Sequence, residues 1–286
     1  MANLVDWYMN SEGLAVISDF TPPRSASIED ILDAGKLGGD YVFVSYNPGR
    51  VIRPDSIAVG HYIQTSTTKR VVVGLATRDM NRLALGSHAL GAHVLGVKNI
   101  VVMRGDAFMP EGNGDAVHDR MITPTGLMRM LKSFNLSDRE SSGYVNRGTA
   151  FCVGSTINTS APLEQEILLT LEKIDAGADF FITQPVYSVS TPLNFLEELN
   201  RAVGERTPIP IFWGVQLRVQ GDVPISDSPV WVDEYVNEPN GGFFLAEKLL
   251  NDLHKAGIRG VYLIAPILEG GVRDYALAAQ LIDCVN

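Results

Sequence analysis

The chain has 286 residues, of which 45% are hydrophobic and 20% are charged. This length and composition are typical of one large globular domain with a buried core, and they exclude a disordered chain. The 33 acidic and 23 basic residues give a net charge of −10. That charge excludes nucleic acids and anionic membrane surfaces as expected partners, because both would be repelled.

The start of the chain and its cysteines predict a cytoplasmic protein. The first residues lack the basic start and apolar run of a secretory signal. The apolar runs, such as Val261–Leu268, are too short to cross a bilayer. Cys152 and Cys284 are the only cysteines, which argues against a disulfide framework and against a cysteine metal site.

Eight short segments have the β-branched and aromatic enrichment of buried strands. In chain order they are Leu14–Phe20, Asp40–Tyr46, Arg70–Ala76, Lys98–Arg104, Thr149–Ser155, Ala178–Gln184, Pro208–Gly214 and Ile258–Ile264. Segments with helical spacing of apolar residues separate them, and Gly96, Gly177 and Gly257 stand where a helix must end before a strand.

This alternation predicts an α/β fold, a (β/α)8 TIM barrel, in which residues 1–286 form a single catalytic domain without a regulatory domain. A doubly wound open sheet is the structural alternative. It is disfavoured because no glycine-rich turn follows the first predicted strand.

Two connections are unusually long. Residues Ala107–Ser142 follow the fourth predicted strand, and Val215–Gly242 follow the seventh. Barrel enzymes place their chemistry at the carboxyl ends of the strands, so the extra length predicts a lid or a cofactor cover. A plain surface excursion is the alternative interpretation.

Polar residues at the carboxyl ends of the predicted strands form the candidate active site. They are Asp19, Ser45, Tyr46, Thr77, Arg78, Asp79, Arg104, Asp106, Ser155, Thr156, Gln184, Gln216 and Glu269. The set contains carboxylates for proton transfer and amides that can pair with a heterocycle. Because the five histidines share no ligand spacing, no metal site is predicted.

Four motifs at these strand ends resemble the methylenetetrahydrofolate reductase family when they are taken in order. They are Ser18–Arg24, Val44–Gly49, the run Asp79–Arg82 followed by Leu95–Asp106, and Ala176–Pro185. Beyond Gly214 the resemblance fades. It implies a (β/α)8 barrel that carries FAD across its strand ends and takes electrons from NADH or NADPH. The implied reaction reduces 5,10-methylenetetrahydrofolate to 5-methyltetrahydrofolate.

The resemblance also implies roles for individual residues. Asp19 takes the place of the acid that assists ring opening, and Asp106 that of an aspartate close to both flavin and folate, so both are candidate catalytic residues. Gln184 corresponds to a glutamine that holds the pterin, with Tyr46 and Tyr187 as further substrate contacts. The implied FAD contacts are Ser45, Thr77, Arg104, Gly105, Asp106, Ser155 and Lys173, the last at the phosphates.

Several positions depart from the family pattern, mostly at FAD contacts. Asp19 replaces a glutamate, Gly74 a flavin-contacting histidine, and Ile157 a tyrosine, while Glu172 replaces a basic residue beside Lys173. Two alternatives therefore stay open: a divergent pterin-binding one-carbon enzyme that has lost or weakened FAD binding, or a partner subunit. In each case we expect a folate or related reduced pterin as ligand, and a homo-oligomer or a complex with a partner protein subunit.

Overall fold

The computed structural model describes residues 3–25, 27–105, 122–136, 148–204 and 207–285. Eight parallel strands follow one another around a closed barrel in sequence order. The strands are β1 (Ala15–Phe20), β2 (Tyr41–Val44), β3 (Arg70–Ala76), β4 (Asn99–Met103), β5 (Cys152–Ile157), β6 (Phe180–Pro185), β7 (Ile211–Gln216) and β8 (Gly260–Ile264). The pairing of β1 with both β2 and β8 closes the barrel, which confirms the predicted (β/α)8 architecture.

Helices connect the strands on the outside of the barrel. They are α1 (Leu4–Asn10), α2 (Ile28–Leu32), α3 (Ser56–Ser66), α4 (Arg82–Val94), α5 (Pro124–Asn135), α6 (Leu163–Asp175), α7 (Ser190–Val203), α8 (Val230–Val236), α9 (Gly241–Lys255) and α10 (Tyr275–Val285). Three of these helices end at the predicted glycines, Gly96, Gly177 and Gly257, which have φ angles of 76°, 96° and 77°. Such left-handed backbone is strained for other residues, so glycine ends the helix here.

The strands separate two apolar layers because their side chains alternate between the barrel interior and the helices. Residues such as Ile17, Phe43 and Phe212 fill the interior. Helix α1 covers the amino-terminal end of the barrel, where the Leu4 N–H donates to Asn99 Oδ1 at 3.0 Å. The polar strand ends therefore lie at the opposite end of the barrel.

The fifth predicted strand is displaced, since β5 begins at Cys152 rather than at Thr149. The preceding residues are bound to the end of α5. Thr149 Oγ1 and the Phe151 N–H both donate to Asn135 Oδ1, at 2.7 and 2.8 Å. These hydrogen bonds hold the segment away from the strand ladder.

The long connection after β4 contains helix α5, so only part of it is a loop. Residues 106–121 and 137–147, on which the predicted lid depends, lie outside the described residues. The connection after β7 is fixed by Gln216, whose side chain donates to the Val223 carbonyl and accepts from the Ile225 N–H, both at 3.0 Å. Gln216 therefore holds a loop in place.

Candidate active site

Three adjacent strands bring polar side chains together at the carboxyl end of the barrel. Asp19 on β1 is 3% exposed, and its Oδ1 accepts hydrogen bonds from Ser45 Oγ at 2.8 Å and Tyr262 Oη at 2.6 Å. Ser45 follows β2 and Tyr262 lies on β8, the two neighbours of β1. The two hydroxyl donors therefore fix the position of a buried carboxyl group at the barrel mouth.

Two phenols near Asp19 stay protonated at neutral pH. Burial raises the pKa of Tyr262 well above its ordinary value, and the Asp19 charge raises it further. The same two causes, in the same order, raise the pKa of Tyr275. The Tyr275 hydroxyl accepts a hydrogen bond from the Thr21 N–H at 3.0 Å, and its ring stacks on Phe20 with 5.5 Å between centroids.

Tyr262 is not among the site residues predicted from the sequence, although a signal for it exists. Tyr262 lies within β8 rather than at its end, beside Ile17 in the β1–β8 register. Its side chain belongs to the barrel interior. A tyrosine at an interior strand position needs a partner for its hydroxyl, and Asp19 is that partner.

Gln184, the residue before the end of β6, has an unpartnered acceptor. Its Oε1 is buried and has no hydrogen-bond partner among the described residues. Gly214 on β7 lets the backbones of β6 and β7 approach closely, because a Cβ there would lie 2.7 Å from the carbonyl oxygens of Thr183 and Gln184. The buried amide oxygen is therefore available to a donor on a ligand.

Tyr187, in the loop between β6 and α7, is a second buried polar group on this side of the barrel. Its hydroxyl forms no hydrogen bond with another group in the described part of the chain. Burial raises the pKa of Tyr187, and the nearby positive charge of Arg218 opposes the rise. Arg218 itself is held by Asp222, with Nε 2.8 Å from Oδ2. The Tyr187 hydroxyl faces Arg218 and Ser226, so Gln184 is the buried group that remains open to a ligand.

Tyr46 is half-buried and turned toward the end of β3. Burial raises its pKa to about 12, with the charge and hydrogen bond of Asp79 adding to the rise. The Arg78 guanidinium donates two hydrogen bonds to the Asp79 carboxylate, from Nε to Oδ1 at 2.7 Å and from Nη2 to Oδ2 at 2.8 Å. Asp79 thus orients both side chains, and Tyr46 presents a neutral phenol.

The remaining predicted residues near β3 and β4 differ in how far they are exposed to solvent. Thr77 is 1% exposed, whereas Arg104 is exposed. Gly105 has a φ of 86°, and a Cβ there would lie 3.2 Å from Ala76 Cβ, so the β4 end passes close to β3. Asp106, the second predicted catalytic acid, lies outside the described residues.

Ser155 and Lys173, two predicted FAD contacts, are engaged with the protein instead. Ser155 Oγ donates to the Val102 carbonyl at 3.2 Å. Lys173 Nζ donates to the Thr156 carbonyl at 2.7 Å and to Glu166 Oε1 at 3.1 Å. The lysine and glutamate side chains are 15% and 5% exposed. The Lys173 charge is therefore already neutralised by a buried carboxylate.

Gly74 stands at the position where the family has a flavin-contacting histidine, and atoms of neighbouring residues leave little room for a side chain there. A Cβ at Gly74 would lie 3.2 Å from Phe43 Cζ and 3.3 Å from both Met103 Cε and the Tyr46 nitrogen. Ile157 is fully buried in the outer apolar layer. The described residues thus fit FAD only in part: Ser45, Thr77 and Gly105 lie at strand ends, while Ser155 and Lys173 have other partners.

No group of three or more histidine, cysteine or acidic side chains that could hold a metal occurs in the described ranges. Among the same residues, no helix combines the length and apolar character required to span a bilayer.

A family model for methylenetetrahydrofolate reductase matches residues 7–221. The chain belongs to the methylenetetrahydrofolate reductase family. The matched segment runs from α1 through β7 and includes Asp19, Ser45 and Gln184, whereas Tyr262 lies beyond it. The resemblance drawn from the four motifs is thereby confirmed.

Solved structures share the fold at low sequence identity. An uncharacterised protein from Clostridium thermocellum that binds two copies of 5-methyl-5,6,7,8-tetrahydrofolic acid has a TM-score of 0.67 at 14% identity, covering 99% of this chain and all of that one. Oxaloacetate acetylhydrolase has a TM-score of 0.54 at 10% identity, with 97% of this chain and 80% of that one covered. No curated protein matches the sequence significantly.

Proposed function

We propose that the protein binds a reduced folate at the carboxyl end of the barrel and reduces 5,10-methylenetetrahydrofolate to 5-methyltetrahydrofolate. The electrons come from NADH or NADPH through FAD. The observation that carries the proposal is the buried Asp19 carboxyl group, held by Ser45 and Tyr262 at the barrel mouth. Membership of the methylenetetrahydrofolate reductase family supports the folate as ligand.

Asp19 supplies the proton chemistry in this proposal. Opening the five-membered ring of methylenetetrahydrofolate requires protonation of a weakly basic nitrogen, which a carboxylic acid beside the ring can provide. Ser45 and Tyr262 fix the carboxyl group before the folate binds, so little reorganisation is needed. Asp106 is the second candidate acid.

Gln184 orients the substrate. Its buried, unpartnered Oε1 accepts a hydrogen bond from an N–H at the edge of the pterin. Tyr46 and Tyr187 present neutral phenols to the same ligand. FAD, when bound, supplies the hydride that the protein itself lacks. Ser45, Thr77, Arg104 and Gly105 are its candidate contacts, and Ser155 and Lys173 can join them only by giving up their present partners.

A second candidate function is a folate-binding family member with weak or absent FAD binding. The Lys173–Glu166 ion pair favours it, because the lysine expected at the FAD phosphates already has a buried partner. Gly74 also favours this second function, because a glycine has no side chain to contact a flavin and its neighbours lie close to it.

Two titrations of the purified chain separate these functions. FAD is added to the protein and its absorption spectrum is followed, and 5-methyltetrahydrofolate is titrated calorimetrically with and without FAD. Binding of both ligands, with NAD(P)H-dependent formation of methyltetrahydrofolate, supports the reductase. Folate binding without FAD binding supports the second function, and failure of folate to bind contradicts both.

We also propose that the protein acts in the cytoplasm as one catalytic domain, either as a homo-oligomer or with a partner protein subunit. Exposed apolar residues support an association surface, because Leu83, Leu90 and Val94 lie along one face of α4 with 75%, 38% and 83% of their surface exposed. Light scattering of the purified chain gives the molar mass, which tests whether the chain self-associates.

A further inference from the structure

An arginine-lined cavity lies beside the Asp19 centre, between the loops that follow β1 and β8. Its volume is about 420 Å³, and its lining includes Arg24, Arg53 and Arg273. The cavity adjoins the active centre through Thr21, two residues after Asp19, because Arg273 Nη2 donates to Thr21 Oγ1 at 2.9 Å. We refer to this cavity as the arginine pocket.

Two guanidinium groups of the arginine pocket are each fixed by a hydrogen bond, but some of their N–H donors have no acceptor. Arg273 is held by Thr21, and Arg53 Nη1 donates to the Pro22 carbonyl. Three other nitrogens, Arg273 Nε, Arg273 Nη1 and Arg53 Nε, are buried without a hydrogen-bond partner among the described residues. Buried N–H donors are almost always paired in folded proteins, so these nitrogens indicate a missing acceptor.

The charges in the arginine pocket are also unbalanced. Burial lowers the pKa of Arg53, and the positive charges of Arg24 and Arg273 lower it further. None of the ion pairs found in the described part of the chain includes these arginines. A chain with a net charge of −10 has thus gathered three cations around one cavity.

The acidic residues of the same lining are engaged elsewhere. Asp30 Oδ2 accepts a hydrogen bond from Ser25 Oγ at 2.7 Å, and Asp33 pairs with Lys36 at 2.6 Å. Among the described residues, neither carboxylate forms an ion pair or a hydrogen bond with an arginine of the pocket. The acceptor that the pocket lacks must come from outside the described chain.

We propose that the arginine pocket binds an oxyanion group that carries two or more negative charges. Guanidinium groups bind phosphate and carboxylate oxygens through forked, charge-assisted hydrogen bonds. Three guanidinium nitrogens lack an acceptor, and a phosphoryl group or two neighbouring carboxylates offer them more oxygens than a single carboxylate does.

The test measures the binding of inorganic phosphate, pyrophosphate and glutarate to the full chain by calorimetry at constant ionic strength. Arg24→Ala is the first variant, because Arg24 is exposed and its removal leaves the Thr21 and Pro22 contacts intact. Arg273→Met is the second. Arg201→Ala, on an exposed face of α7, removes the same charge away from the pocket and is the control.

We expect the wild type to bind at least one anion, and each pocket variant to bind it about tenfold or more weakly, as for the loss of a charge-assisted contact. Arg201→Ala should bind as the wild type does. Stronger binding of phosphate or pyrophosphate identifies a phosphoryl site, and stronger binding of glutarate identifies a site for paired carboxylates.

The proposal is overturned if no anion binds with a dissociation constant below about 10 mM, an affinity too weak for a built site. It is also overturned if Arg24→Ala and Arg273→Met bind as the wild type does, or if Arg201→Ala loses as much affinity as they do. These measurements require neither folate nor FAD, so they succeed or fail independently of the proposed function.

Discussion

The Tyr262 hydroxyl donates a hydrogen bond of 2.6 Å to Asp19, and the two residues are 243 positions apart in the chain. The closure of the barrel between β8 and β1 brings them together. Burial keeps the phenol protonated, so it acts as a fixed donor to the carboxyl group. The position of the acid therefore depends on the last strand of the barrel as well as on the first.

Tyr262→Phe tests this dependence. The change removes the hydroxyl and leaves a buried carboxyl oxygen with one donor fewer, so we expect the free energy of unfolding to fall by about 1–3 kcal/mol. Urea denaturation measures it. Tyr235→Phe, which alters a phenol that is 49% exposed, is the control and should change little. Equal stability of both variants and the wild type would mean that the Tyr262 hydroxyl stabilises nothing.

Lys173→Met tests whether Lys173 is a structural ion-pair partner. The substitution leaves the Glu166 carboxylate, 5% exposed, without its cation, so we expect a loss of roughly 3 kcal/mol in unfolding free energy in the absence of FAD. Lys248→Met, in an exposed pair with Asp252, should cost far less. An unchanged stability together with weaker FAD binding would instead assign Lys173 to the cofactor.

The His88–Asp55 pair gives the stability a pH dependence. His88 Nε2 lies 2.8 Å from Asp55 Oδ2, and the hydrogen bond to Asp55 raises the pKa of His88 above its ordinary value of 6.5 despite partial burial. Folding thus favours the protonated imidazole. The stabilisation is fully present below the unfolded-state pKa and is lost as the pH rises through the folded-state pKa.

We therefore expect the stability difference between wild type and His88→Ala to shrink by up to about 1 kcal/mol between about pH 6 and pH 8. Urea denaturation at each pH measures the difference. The same measurement on His254→Ala, an exposed histidine at the end of α9, corrects for general charge effects. A stability difference between wild type and His88→Ala that grows with pH would contradict a raised pKa of His88 in the folded protein.

Asp19→Asn separates proton transfer from electron transfer. The amide keeps the shape of the side chain but cannot donate a proton in the same way, so reduction of the folate should slow by at least ~10²-fold. Transfer of electrons from NAD(P)H to FAD needs no acid at this position and should continue. Stopped-flow absorbance follows both steps. Equal slowing of both, or of neither, would make Asp19 a structural residue.

The fold was predictable because it depends on a local pattern that repeats along the chain. Each strand is a short β-branched run, and glycines such as Gly96 and Gly177 end the helices between strands. The start of β5 was not predictable, since Thr149 and Phe151 are held by Asn135, a contact outside the strand itself.

The candidate site was predictable only where a residue stands at a strand end. Asp19, Ser45 and Gln184 were proposed in this way, whereas Tyr262 reaches Asp19 from within a strand. The engagement of Lys173 with Glu166 depends on the spacing of two helical residues seven apart and on the Thr156 carbonyl. Such a competing partner is visible only in three dimensions.

The most direct test of the account is the affinity of 5-methyltetrahydrofolate for wild type and Gln184→Ala, measured by calorimetry. The variant removes the unpartnered buried amide that we assign to the pterin, so binding should weaken by about 1–3 kcal/mol while the melting temperature stays unchanged. Gln165→Ala, an exposed glutamine on α6, should bind as the wild type does. Equal affinity of Gln184→Ala and wild type, or no binding by the wild type, would contradict a folate site at the carboxyl end of this barrel.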